Sequence, residues 1–524
     1  MPPNPSLPAL RRLPPVDVAI VGGGLVGAAL AAALTAAPAT AHLSTLLVER
    51  SPPPPPRSAA PPPPPPPRVP PSPPAHGLRT ATLTAASVAL LDAARVTPHV
   101  GRRLRPFHRM VVWDRPLPPV GLGEGAAGGV GGDAFTSGGV SEAFWGGPLG
   151  GRRRRVGGDG YGDAGGGGGG GGGGVFGAGG ALGPAYGVMD LTAPGGAAMG
   201  AVVENDVLLA ALYAALRSTP GAVAELRARL CGLDRPTPTG LAELTLAVEG
   251  GDDDGSAGGG GGGDGAAPER VIVPAKLVVG ADGARSAVRT LAGMAWTSGR
   301  YDAAAVVANV STATDTGVAY QRFLPSGPLA MLPLAPAGGG GGRAEPPVSN
   351  IIWSVAPVEA AALVGAPPGV FLRELHTALT AAAPPGVPAV TGVAAAGRAS
   401  FPLGWGVAPS AVSPRVALIG DAAHAVHPLA GQGVNLGLAD VAALVGLLGK
   451  AAAVGGDVGV GGRSWETWAA RRARDNGRMM AAIEGVRRGF GVGGVGGVVR
   501  RAGMAAFGQS GGVRDAVVRY AMGL

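Results

Sequence analysis

Residues 16–37 read "VDVAIVGGGLVGAALAAALTAA", and this stretch constrains the fold more than any other. A short apolar run, a glycine turn and a run of small residues suit a buried strand, Val16 to Val21, that feeds directly into a helix packed on it. The glycines fall at Gly22, Gly24 and Gly27. Gly22 permits the tight turn, Gly24 lets a pyrophosphate approach the backbone, and Gly27 lets the helix sit against the strand. The helix N-terminus adds free N–H groups and a favourable dipole for an anion. A second strand lies in "STLLVER", residues 44–50, and ends at Glu49, placed to accept both hydroxyls of an adenosine ribose. An acid there disfavours a 2'-phosphate, so NAD or FAD is expected over NADP. Residues 18–41 carry no charge and resemble a membrane span, but their glycines are better used in this turn.

The chain beyond Glu49 bears on the choice between NAD and FAD. An NAD dehydrogenase usually continues with further α/β units. Here the chain passes through prolines 52–56 and 61–67 to "HGLRTATLTAASVALLDA", a helix from Thr84 with Leu90 and Leu91 on its buried side. Arg79, just ahead of it, either lies over a cofactor phosphate or ring edge or is a solvated arginine at a helix start. The proline tract (insertion 51–76) and the glycine runs 165–174 (within 146–178) and 258–263 are expected to be inert, disordered insertions. Many of the 96 glycines and 52 prolines among 524 residues lie in such tracts.

The net charge of +8 concentrates at the end of the chain: from Arg471 onward ten arginines face Asp475, Glu484 and Asp515. Such a region suits a membrane surface or an acidic partner. No zinc-finger spacing or basic–aromatic interleaving points to nucleic acid, and none is expected as a partner. A single cysteine, Cys231, excludes an intrachain disulfide and an iron–sulfur cluster and fits a reducing compartment. The first 15 residues are basic, acid-free and proline-rich, as in the remnant of an organelle-targeting segment.

In the middle of the chain, "PFHRMVVWD" has strand character in MVVW and should leave the nucleotide domain. In "ENDVLLAALYAAL", Asn205 or Asp206 can cap a helix with a stripe of Leu208, Leu209, Leu212 and Leu216. "PAKLVVGADGARSAVRTLAG" reads as a strand, Leu277 to Val279, a turn at Asp282-Gly283 and a helix carrying Arg285 and Arg289. The acid–glycine pair is either a second dinucleotide contact or an ordinary turn. Apolar stretches from 301 to 402 suggest a separate, largely antiparallel sheet, and His376 falls on a helix surface.

"GDAAHAVHPLAGQGVNLGLAD", residues 420–440, continues a strand from Val416 to Ile419 and leads to a helix beginning near Gly433. Asp421 at the strand end can accept hydrogen bonds from a ribityl chain. Gly431 and Gly433 let backbone N–H groups approach a flat polar ring, and the helix dipole favours the negative charge of a reduced flavin. His424 and His427 are spaced for a metal, but no nearby Cys or Glu completes a set, so no metal is expected. No residue is assigned as catalytic; His424, His427 and Pro428 are candidates for the flavin edge, with a histidine general base as the alternative.

The three stations "GGGLVG", "GADGARS" and "GDAAHAVHPLAGQGVNLGLAD" resemble the dinucleotide, Asp-Gly and Gly-Asp motifs of the class A flavoprotein aromatic hydroxylases. "PFHRMVVWD", "ENDVLLAAL", "YDAAAVVANV", "RFLPSGPLAMLPL" and "MMAAIEGVRRGF" are most similar to the mitochondrial branch of the ubiquinone-biosynthesis hydroxylases. The resemblance implies an α/β fold: a Rossmann-like FAD-binding domain (16–101, 201–300 and 401–449), an interleaved, mostly antiparallel β-sheet substrate domain (102–200 and 301–400) and a basic helical C-terminal region (450–524). It implies that Gly22, Gly24, Gly27 and Glu49 hold the ADP half of FAD and that Arg79 matches the family's arginine after the second strand. Asp282 and Gly283 would form the Asp-Gly motif, Asp421 would contact the ribityl, and Pro428 with Gly431, Gln432, Gly433, Val434 and Asn435 would line the isoalloxazine. The implied reaction is C5 hydroxylation of a polyprenylated hydroxybenzoate with O2, through a flavin C4a-hydroperoxide, in ubiquinone synthesis. Electrons would come from a ferredoxin and its reductase, within a coenzyme Q biosynthetic complex on the matrix face of the mitochondrial inner membrane. An NAD(P)H-dependent flavin hydroxylase or epoxidase of another pathway is the alternative, and a non-catalytic FAD-binding scaffold is a further one.

Overall fold

A computed structural model describes residues 10–51, 76–114, 188–219, 223–234, 240–249, 269–336, 346–381, 383–427, 431–459 and 461–491, with scattered positions beyond. The proline tract, both glycine runs and Pro428 lie outside the described residues.

The opening motif folds as its spacing predicts. Val16–Val21 is a strand and Leu25–Ala36 a helix, and both bury most of their length because their side chains are almost all apolar or small. The strand occupies the middle of an eight-stranded sheet. Thr45–Glu49 runs parallel on one side of it and Arg270–Gly280 parallel on the other, with Val18 level with both Thr45 and Leu277. Val416–Leu418 then pairs in parallel with Arg270–Gly280, and Val223–Asp234 with Thr45–Glu49. Parallel order places the carboxyl ends of Val16–Val21, Thr45–Glu49, Arg270–Gly280 and Val416–Leu418 on one edge, which is where α/β sheets bind ligands. One face of the sheet is covered by Leu25–Ala36, Asn205–Arg217 and Gln432–Ala453, whose apolar residues share one core.

The second sheet also has eight strands, centred on Thr297–Thr312, Val348–Val355, Gly327–Pro333 and Val318–Leu324. Neighbours are antiparallel except Arg109–Trp113, which joins Val318–Leu324 in parallel. Its strands Thr297–Thr312 and Val390–Val407 run past both ends of the 301–400 range expected for this layer. His424–Ala425 pairs with the end of Val390–Val407, so the sheet reaches into the Gly-Asp segment itself. A small third sheet, Thr80–Thr84, Gly200–Glu204 and Arg105–Phe107, lies between these layers in the chain path.

Local details differ from expectation in two places. The helix at 205 begins with Asn205 itself and has Glu204 at its N-cap position with no side-chain cap bond. Arg285 precedes the helix Ala287–Leu291 rather than lying on it. The helix near Gly433 forms as expected, starting at Gln432 and capped by Gly431 at φ +64°. That helix, Gln432–Ala453, is long and apolar enough to cross a membrane, yet its Leu438, Val441, Leu444 and Leu448 are core residues. Gly437 packs so closely on the first helix that a Cβ there would come within 2.6 Å of Val26. His376 is exposed on the helix Pro368–Thr380.

Candidate functional site

At the first glycine turn, Gly22 has φ +105°, and a Cβ there would fall 2.5 Å from the Ala281 carbonyl oxygen. The turn after Val16–Val21 and the end of Arg270–Gly280 thus touch through this residue. A Cβ on Gly27 would lie 1.8 Å from the Gly22 carbonyl oxygen, so the helix can approach the turn only with glycine there. Gly24 differs: nothing lies within 4 Å of its Cβ position, which faces open space. Glu49 holds the turn, its Oε2 accepting from the Gly23 N–H at 2.7 Å and its Oε1 from the Ser51 N–H at 2.9 Å. Each oxygen keeps a further lone pair. Tyr213, which belongs to none of the sequence motifs, donates its hydroxyl to the Gly23 carbonyl at 3.1 Å. Burial, then the charges of Glu49 and Glu225, push that phenol up beyond its usual range.

Arg79 lies just ahead of Thr80–Thr84, exposed, with its guanidinium 5.5 Å from the Phe401 ring centre. Two asparagines of the second sheet hold its approach. Asn309 donates to the carbonyls of His76 and Gly77, and Asn350 donates to the Leu78 carbonyl at 3.0 Å and accepts from Thr80 Oγ1 at 2.9 Å. An asparagine inside the apolar run "NIIWSV" is the one sequence signal for Asn350.

Asp282 sits at the end of Arg270–Gly280. Its Oδ2 caps the next helix, accepting from the N–H groups of Ala287 (2.7 Å) and Val288 (3.2 Å). Its Oδ1 is buried and has no hydrogen-bond partner among the described residues. Gly283, at φ +80°, leaves open space beside it. Arg289 is structural: it donates to the carbonyls of Ala422 and Ala284 and stacks 3.8 Å from the Trp296 ring centre. Through Ala422 it ties the Asp-Gly turn to the Gly-Asp turn.

Asp421 reaches solvent but is hemmed in by protein. That desolvation raises its carboxyl pKa, against the opposing pull of His424 and Arg79. Arg79 and Asp421, far apart in sequence, therefore act on one region. His424 turns inward instead: its Nε2 is 2.6 Å from Asp440 Oδ2, which also accepts from the Gly420 N–H at 2.9 Å. Asp440 Oδ1 accepts from Arg472 Nε at 2.7 Å, and Arg472 is itself bonded to Asn476 at 2.8 Å. For Asp440, Arg472 and Asn476 the sequence offers little: an acid and an arginine within helices that pack on each other are the only signals.

His427 is 3% exposed and packs edge-on to Tyr301, ring centres 5.1 Å apart. Burial, with the nearby Arg487 charge, lowers its imidazole to about 4. Among the described residues no group of three or more histidines, cysteines or acids is placed to hold a metal.

The side chain of Asn435 is fully engaged with protein. It accepts from the Thr84 N–H (2.9 Å) and Ser87 Oγ (2.7 Å), and donates to the carbonyls of Thr82 (2.7 Å) and Gly431 (3.2 Å). Any cofactor contact at Asn435 is left to its backbone. Gln432, Gly433 and Val434 form the first helical turn, whose N–H groups have no intrahelical acceptor. A Cβ on Gly431 would meet Thr82 at 2.9 Å, so the turn and the strand Thr80–Thr84 are in contact.

Gly431 and Gln432 also form one wall of a cavity of about 100 Å³ between the second and third sheets. Phe107, Met110, Met199 and Leu332 line it, with Gln321 and Ser354 among its few polar groups. A larger groove of about 1100 Å³ runs between Gln432–Ala453 and Arg463–Gly491 and contains none of Gly24, Asp282 or Asp421.

Residues 262–457 match the family model described as an FAD binding domain. The chain is 36% identical over 322 residues to the mitochondrial ubiquinone biosynthesis monooxygenase COQ6 of Xenopus tropicalis. The alignment covers 55% of this chain and 63% of the relative. It is 32% identical over 302 residues to the 3-demethoxyubiquinol 3-hydroxylase of Escherichia coli K12, covering 56% of this chain and 64% of that protein. Over this part of its length the chain is similar to the ubiquinone-biosynthesis monooxygenases. Its match spans somewhat less than two thirds of those relatives' length. The chain shares its fold with p-nitrophenol 4-monooxygenase PnpA from Pseudomonas putida DLL-E4, with a TM-score of 0.58 at 14% identity, covering 97% of this chain and 98% of that one. The fold of pqsL, a probable FAD-dependent monooxygenase from Pseudomonas aeruginosa, is also similar, with a TM-score of 0.55 at 18% identity over 94% of this chain and 99% of that one. The FAD binding domain matched at residues 262–457 gives FAD as the cofactor, and the site fits it. Gly24 is open, the Asp282 carboxylate has an unused buried oxygen, and a helix N-terminus and Asp421 stand along the same sheet edge.

Proposed function

We propose that this chain is an FAD-dependent monooxygenase that hydroxylates C5 of a polyprenylated hydroxybenzoate ring in ubiquinone biosynthesis. The observation that carries this reading is the small apolar cavity walled by Gly431 and Gln432, beside the Gly-Asp turn and closed by the second sheet. Bound FAD, once reduced, supplies the activation of O2 that no side chain here can provide. The chain's own residues do the rest. Gly22, Gly24 and Gly27 admit the pyrophosphate, and Glu49 accepts from the adenosine ribose. Arg79 faces the phosphates or the ring edge, Asp282 Oδ1 and Gly283 meet the dinucleotide a second time, and Asp421 accepts from the ribityl chain. The N–H groups of Gln432 to Asn435, with Gly431, border the flavin ring and favour its reduced, negatively charged form. The cavity positions the phenol ring and excludes water. His424 and His427 support this edge and need carry no proton in the reaction.

The prenyl chain of such a substrate, and the arginines of Arg463–Gly491, suit a protein resting on the matrix face of the mitochondrial inner membrane within a biosynthetic complex. The same arginines suit an acidic ferredoxin, delivering electrons from its reductase. The mitochondrial relatives support this location. The test is to purify the protein, record its flavin spectrum, and measure C5-hydroxylated product with reduced ferredoxin or with NADPH. Product with ferredoxin is expected. A colourless protein that cannot be reconstituted with FAD would overturn the reading, and rapid reduction by NADPH alone would assign the chain to a directly NADPH-dependent hydroxylase.

A further inference from the structure

Gln321 occupies an unusual place for a side-chain amide. Along the strand Val318–Leu324, Tyr320 points to the face that packs on Trp113 and Leu329, whereas Ala319 points to the opposite face, toward Phe107 and Met199. The two-residue period of a strand puts Gln321 on the same face as Ala319. The register agrees: Gln321 lies opposite Ala330, and Ala330 opposite Ile352, and all three line the cavity beside Gly431 and Gln432. Gln321 is 4% exposed. Its side chain makes no hydrogen bond to any described residue, and its polar atoms are not among those sealed off by neighbouring protein. The amide thus opens onto the cavity with a donor and an acceptor both free. A buried amide without a partner is destabilising, at a site where a leucine would pack without loss.

We infer that Gln321 is a specificity-determining residue: its Oε1 accepts a hydrogen bond from a hydroxyl on the aromatic ring held in the cavity. This rests on the hydroxylase reading and adds to it the group that reads the substrate. The amide is uncharged and cannot take the hydroxyl proton, so the ring is held as the neutral phenol. With Oε1 on the second sheet and Gln432 on the facing wall, the hydrogen bond orients the ring across the cavity instead of leaving it to rotate among Met110, Met199 and Leu332.

The test uses the FAD-loaded protein and two probes of matched shape, 4-propylphenol and propylbenzene, with binding measured by perturbation of the flavin absorbance. Wild-type protein is expected to bind the phenol about tenfold more tightly than the hydrocarbon, as one neutral hydrogen bond from an otherwise unpaired buried group supplies. In Gln321→Leu the preference should collapse to within about twofold, with the hydrocarbon bound at least as well as before, while FAD content is unchanged. Gln321→Met gives a second, unbranched replacement should the leucine variant fail to fold. Gln321→Glu, which keeps an acceptor, should retain the preference. A tenfold preference that survives both apolar variants would overturn the assignment. A wild-type flavin spectrum that responds to neither probe would instead count against the hydroxylase reading itself.

Discussion

His424 Nε2 lies 2.6 Å from Asp440 Oδ2, joining the strand-end turn of the Gly-Asp motif to the third turn of the helix Gln432–Ala453. The same carboxylate receives the Gly420 N–H and Arg472, so one buried acid holds the turn that carries Asp421, the long apolar helix and the arginine-rich helix. The network couples the position of Asp421 to the docking of Arg463–Gly491.

Removing that acid should therefore do more than lose a hydrogen bond. Asp440→Ala leaves the buried Arg472 guanidinium without its carboxylate and is expected to destabilise the protein by about 3–5 kcal/mol. Urea unfolding measures it, and a loss below about 1 kcal/mol would show that Arg472 does not depend on this buried partner. FAD affinity should fall in parallel, because Gly420 loses its anchor. Desolvation works to raise the Asp440 pKa, but His424, Arg472 and the Gly420 N–H outweigh it and leave it lowered. The stabilisation it brings is complete above the ordinary carboxylate pKa of 3.8 and fades only as pH falls below that value.

Gly24 and Gly27 should separate ligand binding from folding. Gly27→Ala forces a Cβ against the Gly22 carbonyl at 1.8 Å, and is expected to cost about 1–3 kcal/mol even without cofactor. Gly24→Ala meets no protein atom within 4 Å, so the apoprotein should change by less than about 1 kcal/mol. Its FAD dissociation constant should nevertheless rise about tenfold or more, because the methyl group stands where the pyrophosphate approaches. Fluorescence titration with FAD reads this, and equal affinity would remove Gly24 from the site.

The buried His427 predicts an acid-sensitive fold. Burial and then Arg487 lower its pKa, against Glu484, from 6.5 to about 4. Between those values the unfolded chain binds a proton that the folded chain does not, so stability is full above about pH 6.5 and declines as pH falls toward 4. The contribution is about 3 kcal/mol. His427→Phe should flatten this part of the stability profile measured by urea at each pH; an unchanged slope would refute the assignment.

Asn350→Leu tests how the second sheet positions Arg79. The variant keeps approximate volume but strands the Leu78 carbonyl and Thr80 hydroxyl, which costs about 1–3 kcal/mol. FAD binding should weaken although Asn350 is not proposed to touch the cofactor. Affinity unchanged in a folded variant would mean that Arg79 does not depend on this anchor.

The opening strand, turn and helix could be read from sequence because their determinants are local: an apolar run, glycines at fixed spacing, and small residues where a helix meets a strand. The same holds for the strand-end acids Glu49, Asp282 and Asp421, since a parallel sheet brings strand ends together by its topology. The antiparallel character of the second layer was equally legible in its apolar stretches. What sequence alone could not assign is which polar side chains serve ligand and which serve the fold. Asn435 sits within the glycine motif, yet its four hydrogen bonds all go to Thr82, Thr84, Ser87 and Gly431. Gln321 sits in a strand without a motif, yet opens unpaired onto the cavity. Tyr213, Asp440 and Arg472 gained their places only when distant segments packed. Hydrogen bonds between such segments depend on a few ångströms set by the packing of whole layers, and no local spacing encodes them.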